Sequence, residues 1–274
     1  MTNDDQTGTD VSPKAPKCEN PLERSEKLVS DQTKQKVNQP ETDIPKEPIT
    51  GEEILERINN RTDAVNEELQ RGLKAISSYP KSVTFFGSAR LEETNQYYKA
   101  ARSIAGKLCG EGYAVITGGG PGIMEAGNRG THETCGSAVG FNIELPFEQV
   151  INPYVTHGVN FHYFFTRKVS LTFSAEVYMY FPGGFGTLDE LFEILTLIQT
   201  EKIDRVPVIL FGSEFWKPLD EYIKKILLEE HKTISDSDVD LYVITDSEEE
   251  VLDIIKNAPI RRGAYASGQK PGSE

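Results

Sequence analysis

The sequence predicts a doubly wound α/β fold, a Rossmann-like parallel sheet with helices on both faces, and two observations support this prediction. Short, continuous apolar runs alternate with helical segments from about residue 82 onward. Buried parallel strands have this character, and right-handed crossovers place the helices on both faces. Two of the runs end in glycine-rich turns that lead into helices. Ligands in such folds bind beyond the carboxyl ends of the strands, so the turns indicate the site.

An N-terminal tail and a helix precede the sheet. Residues 1–50 are polar and lack periodicity, so they bury too little to offset the roughly 1–2 kcal/mol cost of ordering each residue, and we expect a disordered tail. Thr50 and Glu53 have the spacing of a capping box and predict a helix over 51–78. This helix is expected to pack on the main domain or on a neighbouring subunit. A single domain is expected over 51–262, followed by a tail over 263–274.

The remaining elements alternate along the chain. The predicted strands cover 82–86, 113–117, 137–143, 160–164, 177–181, 206–211 and 241–245. The predicted helices cover 96–109, a segment through Met124 and Ala126, 167–174, a segment starting at Thr187, 216–228 and 248–256. The segment 145–149 is expected to be an irregular loop. Because the strands are expected to be parallel, the loops after Phe86, Thr117 and Phe181 should lie at the same edge of the sheet.

Composition excludes several classes of partner. A net charge of −14 and a pI near 4.9 argue against a nucleic-acid polymer or an anionic membrane, because both bind extended basic surfaces. The sequence has no apolar run of about 18 residues and no signal-peptide pattern, so a cytoplasmic location is expected. Its cysteines and histidines lack metal-ligand spacing, and no metal is expected.

The central motif is the turn 182–187, where three glycines precede a helix. Glycines allow close approach of the backbone, and a helix start offers unpaired N–H groups and a positive dipole end, which suits a phosphate. Thr187 can cap this helix, and Thr187 and Glu190 have the spacing of a capping box. The alternative is that the glycines only form a tight strand-to-helix connection, with Glu190 as a capping residue. A second such turn, 117–122, favours one shared ligand. Neither turn fits the dinucleotide or P-loop pattern, so a mononucleotide or sugar phosphate is favoured.

Four motifs in sequence order give the chain a resemblance to a known family. It resembles the Lonely Guy family through Gly87-Ser88, the segment 117–126, Arg167-Lys168 and the segment 182–190. Members are nucleoside 5′-monophosphate phosphoribohydrolases, often labelled lysine decarboxylase-like. The resemblance, over roughly residues 80–257, implies hydrolysis of the N-glycosidic bond of AMP or a cytokinin riboside 5′-monophosphate to free base and ribose 5-phosphate. It implies no cofactor, a dimer or hexamer, and a site near a subunit boundary.

The resemblance also implies residue roles. It makes Arg167 and Glu190 catalytic. Together with the two turns, it indicates substrate binding by Ser88, Gly119, Gly120, Gly122, Glu148, Lys168, Gly183, Gly184, Phe185, Gly186, Thr187, Leu188, Asp189 and Thr196. Chemically, a carboxylate stabilises an oxocarbenium-like sugar and activates water, while an arginine holds phosphate or hydroxyl groups.

Other interpretations of these residues stay open. Arg167 could form a structural ion pair, Lys168 could be a solvated charge, and Ser88 and Arg90 could serve only the loop. A lysine decarboxylase would need a Schiff-base lysine for pyridoxal phosphate, and no lysine here has a distinctive context. A non-catalytic nucleotide or molybdenum-cofactor carrier would not need Arg167 and Glu190 together.

Overall fold

The computed structural model describes residues 50–144 and 151–259, and these contain a parallel sheet of seven strands. The strands are β1 (Ser82–Phe86), β2 (Ala114–Thr117), β3 (Ala138–Ile143), β4 (His157–Phe161), β5 (Val177–Tyr180), β6 (Val208–Phe211) and β7 (Val243–Thr245). Their spatial order is β4-β3-β2-β1-β5-β6-β7, and each neighbouring pair is parallel. The predicted doubly wound fold is therefore confirmed.

Seven α-helices surround this sheet in the described part of the chain. They are α1 (Gly51–Ser77), α2 (Gln96–Gly110), α3 (Ile123–Glu133), α4 (Phe164–Thr172), α5 (Phe185–Gln199), α6 (Ser213–Tyr222) and α7 (Glu248–Asn257). A π-helical segment, Ile223–Glu230, continues α6, and a 3-10 segment covers Asp236–Asp240. None of these helices has the length and apolar character needed to cross a bilayer.

Both faces of the sheet are buried, as the continuous apolar strands predict. Along β5, Tyr178 and Tyr180 belong to one hydrophobic core, whereas Val177 and Met179 belong to the other. The first core includes residues of α4, α5 and α6, and the second includes residues of α2, α3 and α7. Alternate residues of one strand therefore pack under different helix layers, which explains the absence of polar alternation.

The chain reverses its direction of winding between β1 and β5. From β1 it proceeds outward through β2, β3 and β4, and it then returns to the opposite side of β1 as β5. The register pairs Phe86 with Tyr180, so the loops after both strands leave the same edge. Crevices at such switch points are the usual ligand sites of doubly wound sheets.

Most predicted boundaries are confirmed within a few residues, and the exception lies between β4 and α4. The capping box of α1 is present, with Thr50 and Glu53 bonded reciprocally. The strand expected over 160–164 is β4 at His157–Phe161, and the helix expected over 167–174 is α4 at Phe164–Thr172. Backbone N–H groups at His162 and Tyr163 donate to the Glu68 carboxylate of α1, which favours the earlier helix start. The expected loop 145–149, with Glu148, lies outside the described residues.

Candidate functional site

A cavity of about 640 Å³ opens at the switch point between β1 and β5. The loop after β1, the start of the turn after β2, one face of α4 and the first two turns of α5 surround it. Its lining residues are Phe85, Phe86, Gly87, Ser88, Ala89, Arg90, Gly118, Met124, Phe164, Arg167, Gly184, Phe185, Gly186, Thr187, Asp189 and Glu190. Arg167 and Glu190, which the sequence predicted to act together, thus face one cavity.

The glycine turn after β5 forms an uncapped helix start. Helix α5 begins at Phe185, with Gly184 in an extended conformation at the N-cap and no side-chain cap. The prediction that Thr187 caps this helix is therefore wrong: Thr187 lies within the first turn. Its side chain fills the space beside Gly183, where a Cβ would lie 2.1 Å from the Thr187 hydroxyl oxygen. The first N–H groups of α5 have no acceptor within the helix and can bind an anion.

The glycine turn after β2 is held by buried side chains. The Gly119 N–H donates to the Thr117 hydroxyl at 2.9 Å, and the Asn152 amide donates to the carbonyls of Gly119 (3.1 Å) and Gly120 (3.0 Å). Gly118 lines the cavity, but Gly119, Gly120 and Gly122 are not among the lining residues. The positive φ of 69° at Gly122 instead allows close packing of this turn on the loop after β1.

Ser88 ties the two glycine turns together. Its N–H donates to the Pro182 carbonyl at 3.0 Å, and its carbonyl accepts from the Ile123 N–H at 3.1 Å. Its hydroxyl accepts from the Arg90 N–H at 3.1 Å. Ser88 and Arg90 both line the cavity, so the loop that joins the turns also supplies polar side chains to the site.

Arg167 lies on α4 and points toward the turn after β2. Its Nε donates to the Phe141 carbonyl at 2.7 Å, and a Cβ added to Gly118 would lie 2.3 Å from its Nη2. The guanidinium therefore occupies the space that a side chain at position 118 would need. Burial lowers the pKa of Arg167, and the charge of Glu190 opposes that shift. In the described part of the chain the Arg167 side chain donates its hydrogen bond to a carbonyl rather than to a carboxylate, which disfavours the structural ion pair.

Glu190 is a buried carboxyl group beside this guanidinium. Only 8% of the residue is exposed, and burial raises the pKa of Glu190 from 4.5 to about 7, although Arg167 and Lys168 oppose the shift. The Tyr180 hydroxyl donates to the backbone carbonyl of Glu190 at 3.1 Å, which fixes this turn of α5 on the sheet. A carboxyl group that titrates near neutral pH can accept or donate a proton during a reaction.

Lys168 joins α4 to α5 instead of lining the cavity. Its ammonium group lies 2.7 Å from the Asp189 carboxylate and 3.2 Å from that of Glu193. Burial opposes its charge, but the Asp189 hydrogen bond and the nearby Glu193 raise the pKa of Lys168 overall. Lys168 therefore forms an ion-pair bridge between the two helices and is not a fully solvated charge.

The other predicted substrate-binding residues divide into two groups. Gly184, Phe185, Gly186 and Asp189 line the cavity with Thr187. Gly183, Leu188 and Thr196 do not: Leu188 packs on the hydrophobic core, and Thr196 is exposed farther along α5.

Phe164 lines the cavity, although no sequence pattern indicated it as a site residue. It lies at the start of α4 and is 57% exposed, and Phe185 across the site is 94% exposed. Phe164 was expected to end a strand, and its one signal in the sequence is its position three residues before Arg167. Residues three apart lie on the same face of a helix, so a helix there would have placed the two side chains together. Two exposed aromatic side chains at one cavity mouth provide apolar faces for a planar group.

The described residues offer neither the lining lysine that a pyridoxal phosphate site requires nor a metal-ligand cluster. The described lining of the cavity contains no lysine, so the Schiff base required for pyridoxal phosphate chemistry has no donor there. No group of three or more His, Cys, Asp or Glu side chains is placed to hold a metal ion in residues 50–144 and 151–259.

Comparison with known proteins finds a matching family model and two similar enzymes. A family model described as "Possible lysine decarboxylase" matches residues 124–255. The cytokinin riboside 5′-monophosphate phosphoribohydrolase of Rhodococcoides fascians is 26% identical over 156 residues, which cover 55% of this chain and 77% of that protein. A probable enzyme of the same name from Oryza sativa subsp. japonica is 29% identical over 159 residues, which cover 56% of this chain and 63% of that protein.

A solved structure is also similar in part. The molybdenum cofactor carrier protein from Chlamydomonas reinhardtii has a TM-score of 0.48 and 18% identity, covering 64% of this chain and 96% of that one. Likeness at this level carries no argument about function. The family model, the two phosphoribohydrolase relatives and the four sequence motifs agree that this chain is similar to the Lonely Guy, or lysine decarboxylase-like, family.

Proposed function

We propose that this protein is a nucleoside 5′-monophosphate phosphoribohydrolase that releases the base from AMP or a cytokinin riboside 5′-monophosphate. One observation carries the proposal: Arg167 and Glu190 line a single cavity next to the uncapped start of α5. Hydrolysis of a nucleotide at its glycosidic bond needs an anion site, a carboxyl group and a strong hydrogen-bond donor within the length of one ribose phosphate. The names of the two phosphoribohydrolase relatives support the same activity.

The phosphate group fits the start of α5. The N–H groups of Phe185, Gly186 and Thr187 lie in the first turn of α5 and have no acceptor within the helix. The helix dipole also favours negative charge at this end. Ser88 and Arg90 face the same cavity and can add a hydroxyl donor and a positive charge. The anion site is therefore local, which reconciles an anionic substrate with a chain of net charge −14.

Glu190 and Arg167 supply the chemistry in this proposal. The ionised Glu190 carboxylate stabilises positive charge on the sugar as the C1′–N bond breaks, and it takes a proton from the attacking water. Water oxygen then bonds to C1′, and the base leaves with the bonding electron pair and takes up the proton that Glu190 accepted from water. Arg167 has guanidinium donors left beyond its Nε contact with Phe141, and these can hold the ribose hydroxyls or the departing base.

The base fits the apolar side of the cavity. Phe164, Phe185 and Met124 line it, and the two phenylalanine side chains are largely exposed. Stacking on an aromatic face is worth about 1–3 kcal/mol per base and tolerates different bases. The proposal also includes a cytoplasmic homo-oligomer, either dimer or hexamer, and the exposed Phe165 and Phe192 near the site suit a subunit boundary.

A panel of nucleoside 5′-monophosphates tests the proposal. Purified protein is incubated with each nucleotide, and free base and ribose 5-phosphate are quantified by chromatography. We expect equal amounts of both products, with turnover at least about 10²-fold lower for Arg167→Ala. Glu67→Gln is the matched control, because Glu67 is exposed on α1.

Two outcomes would contradict the enzyme assignment. Recovery of tightly bound, intact nucleotide would support a non-catalytic carrier. Release of CO2 from lysine, together with a pyridoxal phosphate absorbance band in the purified protein, would support a decarboxylase.

A further inference from the structure

Helix α1 contributes a buried carboxylate to the start of α4. Glu68 is 6% exposed, and its oxygens accept hydrogen bonds from the His162 N–H at 2.8 Å, the Tyr163 N–H at 3.3 Å and the Thr166 hydroxyl at 2.6 Å. These donors surround the first turn of α4. Two of them are backbone N–H groups at the entry to the helix, because Tyr163 is the N-cap residue of α4 and His162 directly precedes it.

The start of α4 depends on this carboxylate because it has no cap of its own. Its N-cap residue is Tyr163, which makes no side-chain capping bond. A negative charge is favourable at the positive end of a helix, and hydrogen bonds to a charged group are stronger than neutral ones. Glu68 therefore fixes both where α4 begins and how its first turn is oriented.

Close packing extends the contact along α1. A Cβ added to Gly72 would lie 2.3 Å from the Ser170 hydroxyl oxygen, so α1 and α4 approach without an intervening side chain. Arg71 donates to the Asn160 carbonyl at 2.9 Å, and the Arg61 guanidinium lies 5.6 Å from the Tyr163 ring centroid. The contact is continuous and has little freedom to slide.

The same helix carries Arg167. Thr166, which donates to Glu68, directly precedes Arg167, and the Arg167 Nε is held by the Phe141 carbonyl at 2.7 Å. The guanidinium also fits against Gly118 so closely that a Cβ there would lie 2.3 Å from Nη2. A small rotation or shift of α4 would therefore move Arg167 out of this fit.

We propose that Glu68 is a positioning residue for the active site: by binding the first turn of α4, it holds Arg167 in the orientation that turnover requires. The proposal rests on the proposed function for its kinetic readout. It assigns a catalytic consequence to α1, which precedes the segment 124–255 matched by the family model. Glu68 acts through Arg167 and does not itself line the described cavity.

The test replaces Glu68 with glutamine, which keeps the shape of the side chain but replaces one carboxylate oxygen with an NH2 group. This NH2 group cannot accept the hydrogen bonds that Glu68 accepts from His162, Tyr163 and Thr166. We expect kcat for base release to fall by roughly 10- to 100-fold with KM changed less than about twofold, because displacement of a catalytic group lowers turnover strongly. Glu67→Gln, one residue away and exposed, should leave both constants unchanged. Amide exchange at His162 and Tyr163 should accelerate in Glu68→Gln and not in the control.

A double-mutant cycle separates positioning from general stabilisation. Glu68→Gln should lower the melting temperature in both the wild-type and the Arg167→Ala background, but in the Arg167→Ala background it should cause no further loss of turnover. Equal additional loss in both backgrounds, or wild-type kcat in Glu68→Gln, would overturn the proposal. If the wild-type protein releases no base, the proposed function fails. Amide exchange still tests the Glu68 contact in that case: unchanged exchange at His162 and Tyr163 in Glu68→Gln would show that Glu68 does not hold the start of α4.

Discussion

Replacing Glu190 with glutamine should stabilise the protein while strongly lowering the proposed release of base from nucleotides. Burial raises the pKa of Glu190 from 4.5 to about 7, even with Arg167 and Lys168 nearby, so ionising this carboxyl costs folding free energy. The rise corresponds to about 3 kcal/mol. Glutamine resembles the protonated form and avoids that cost.

The sign of the pH dependence follows from proton binding. The folded state holds the Glu190 proton up to about pH 7, whereas the unfolded state releases it near 4.5, so the free energy of unfolding falls as pH rises through this window. Relative to wild type, Glu190→Gln should be more stable by about 3 kcal/mol at pH 8 and by less than about 1 kcal/mol at pH 5. Its turnover should be lower by at least about 10²-fold.

Denaturant unfolding at pH 5 and pH 8, with base release assayed in parallel, measures both quantities. Glu67→Gln serves as the control, since an exposed substitution should shift stability by less than about 0.5 kcal/mol at either pH. An unchanged or lower stability of Glu190→Gln at pH 8 would refute the claim that burial holds this carboxyl in its neutral form.

Three further predictions follow from the same geometry. In wild type, kcat/KM should rise with pH to a plateau with a midpoint near 7, because the ionised Glu190 is the active form, and a flat profile between pH 5 and 9 would contradict this role. Gly118→Ala places a Cβ 2.3 Å from the Arg167 Nη2 and should lower turnover at least about tenfold. Gly110→Ala is the control, because a Cβ there meets open space and should leave turnover unchanged. Equal turnover in the two variants would contradict the role of the close contact between Arg167 and Gly118. Gly122→Ala forces a side chain to φ 69° and 2.3 Å from a backbone carbonyl, so calorimetry should show a loss of about 2 kcal/mol or more.

Local sequence patterns predicted the sheet and the edge of the sheet at which the cavity lies, because the relevant signals are local. Strand β1 matches the predicted 82–86, and Thr50 and Glu53 form the expected capping box. The two glycine turns follow β2 and β5, which are the two neighbours of β1 in the sheet. Because these strands are parallel, the topology alone brings both turns to one edge.

The parts that sequence patterns missed depend on contacts between distant residues. The start of α4 is set by Glu68, which lies 94 positions before His162, and no pattern within residues 160–174 records that contact. Lys168 is paired by Asp189 and Glu193 only because α4 and α5 are adjacent. Thr187 fits a capping box by spacing, but Gly184 starts the helix earlier and leaves the N–H groups open.

The most direct test is a crystal structure of the Glu190→Gln protein with bound AMP, because this variant should bind the nucleotide without cleaving it. We predict that the phosphate lies within hydrogen-bonding distance of the N–H groups of Phe185 to Thr187, with C1′ of the ribose between the Arg167 guanidinium and the side chain at position 190. AMP bound with its ribose out of reach of either side chain would contradict the account.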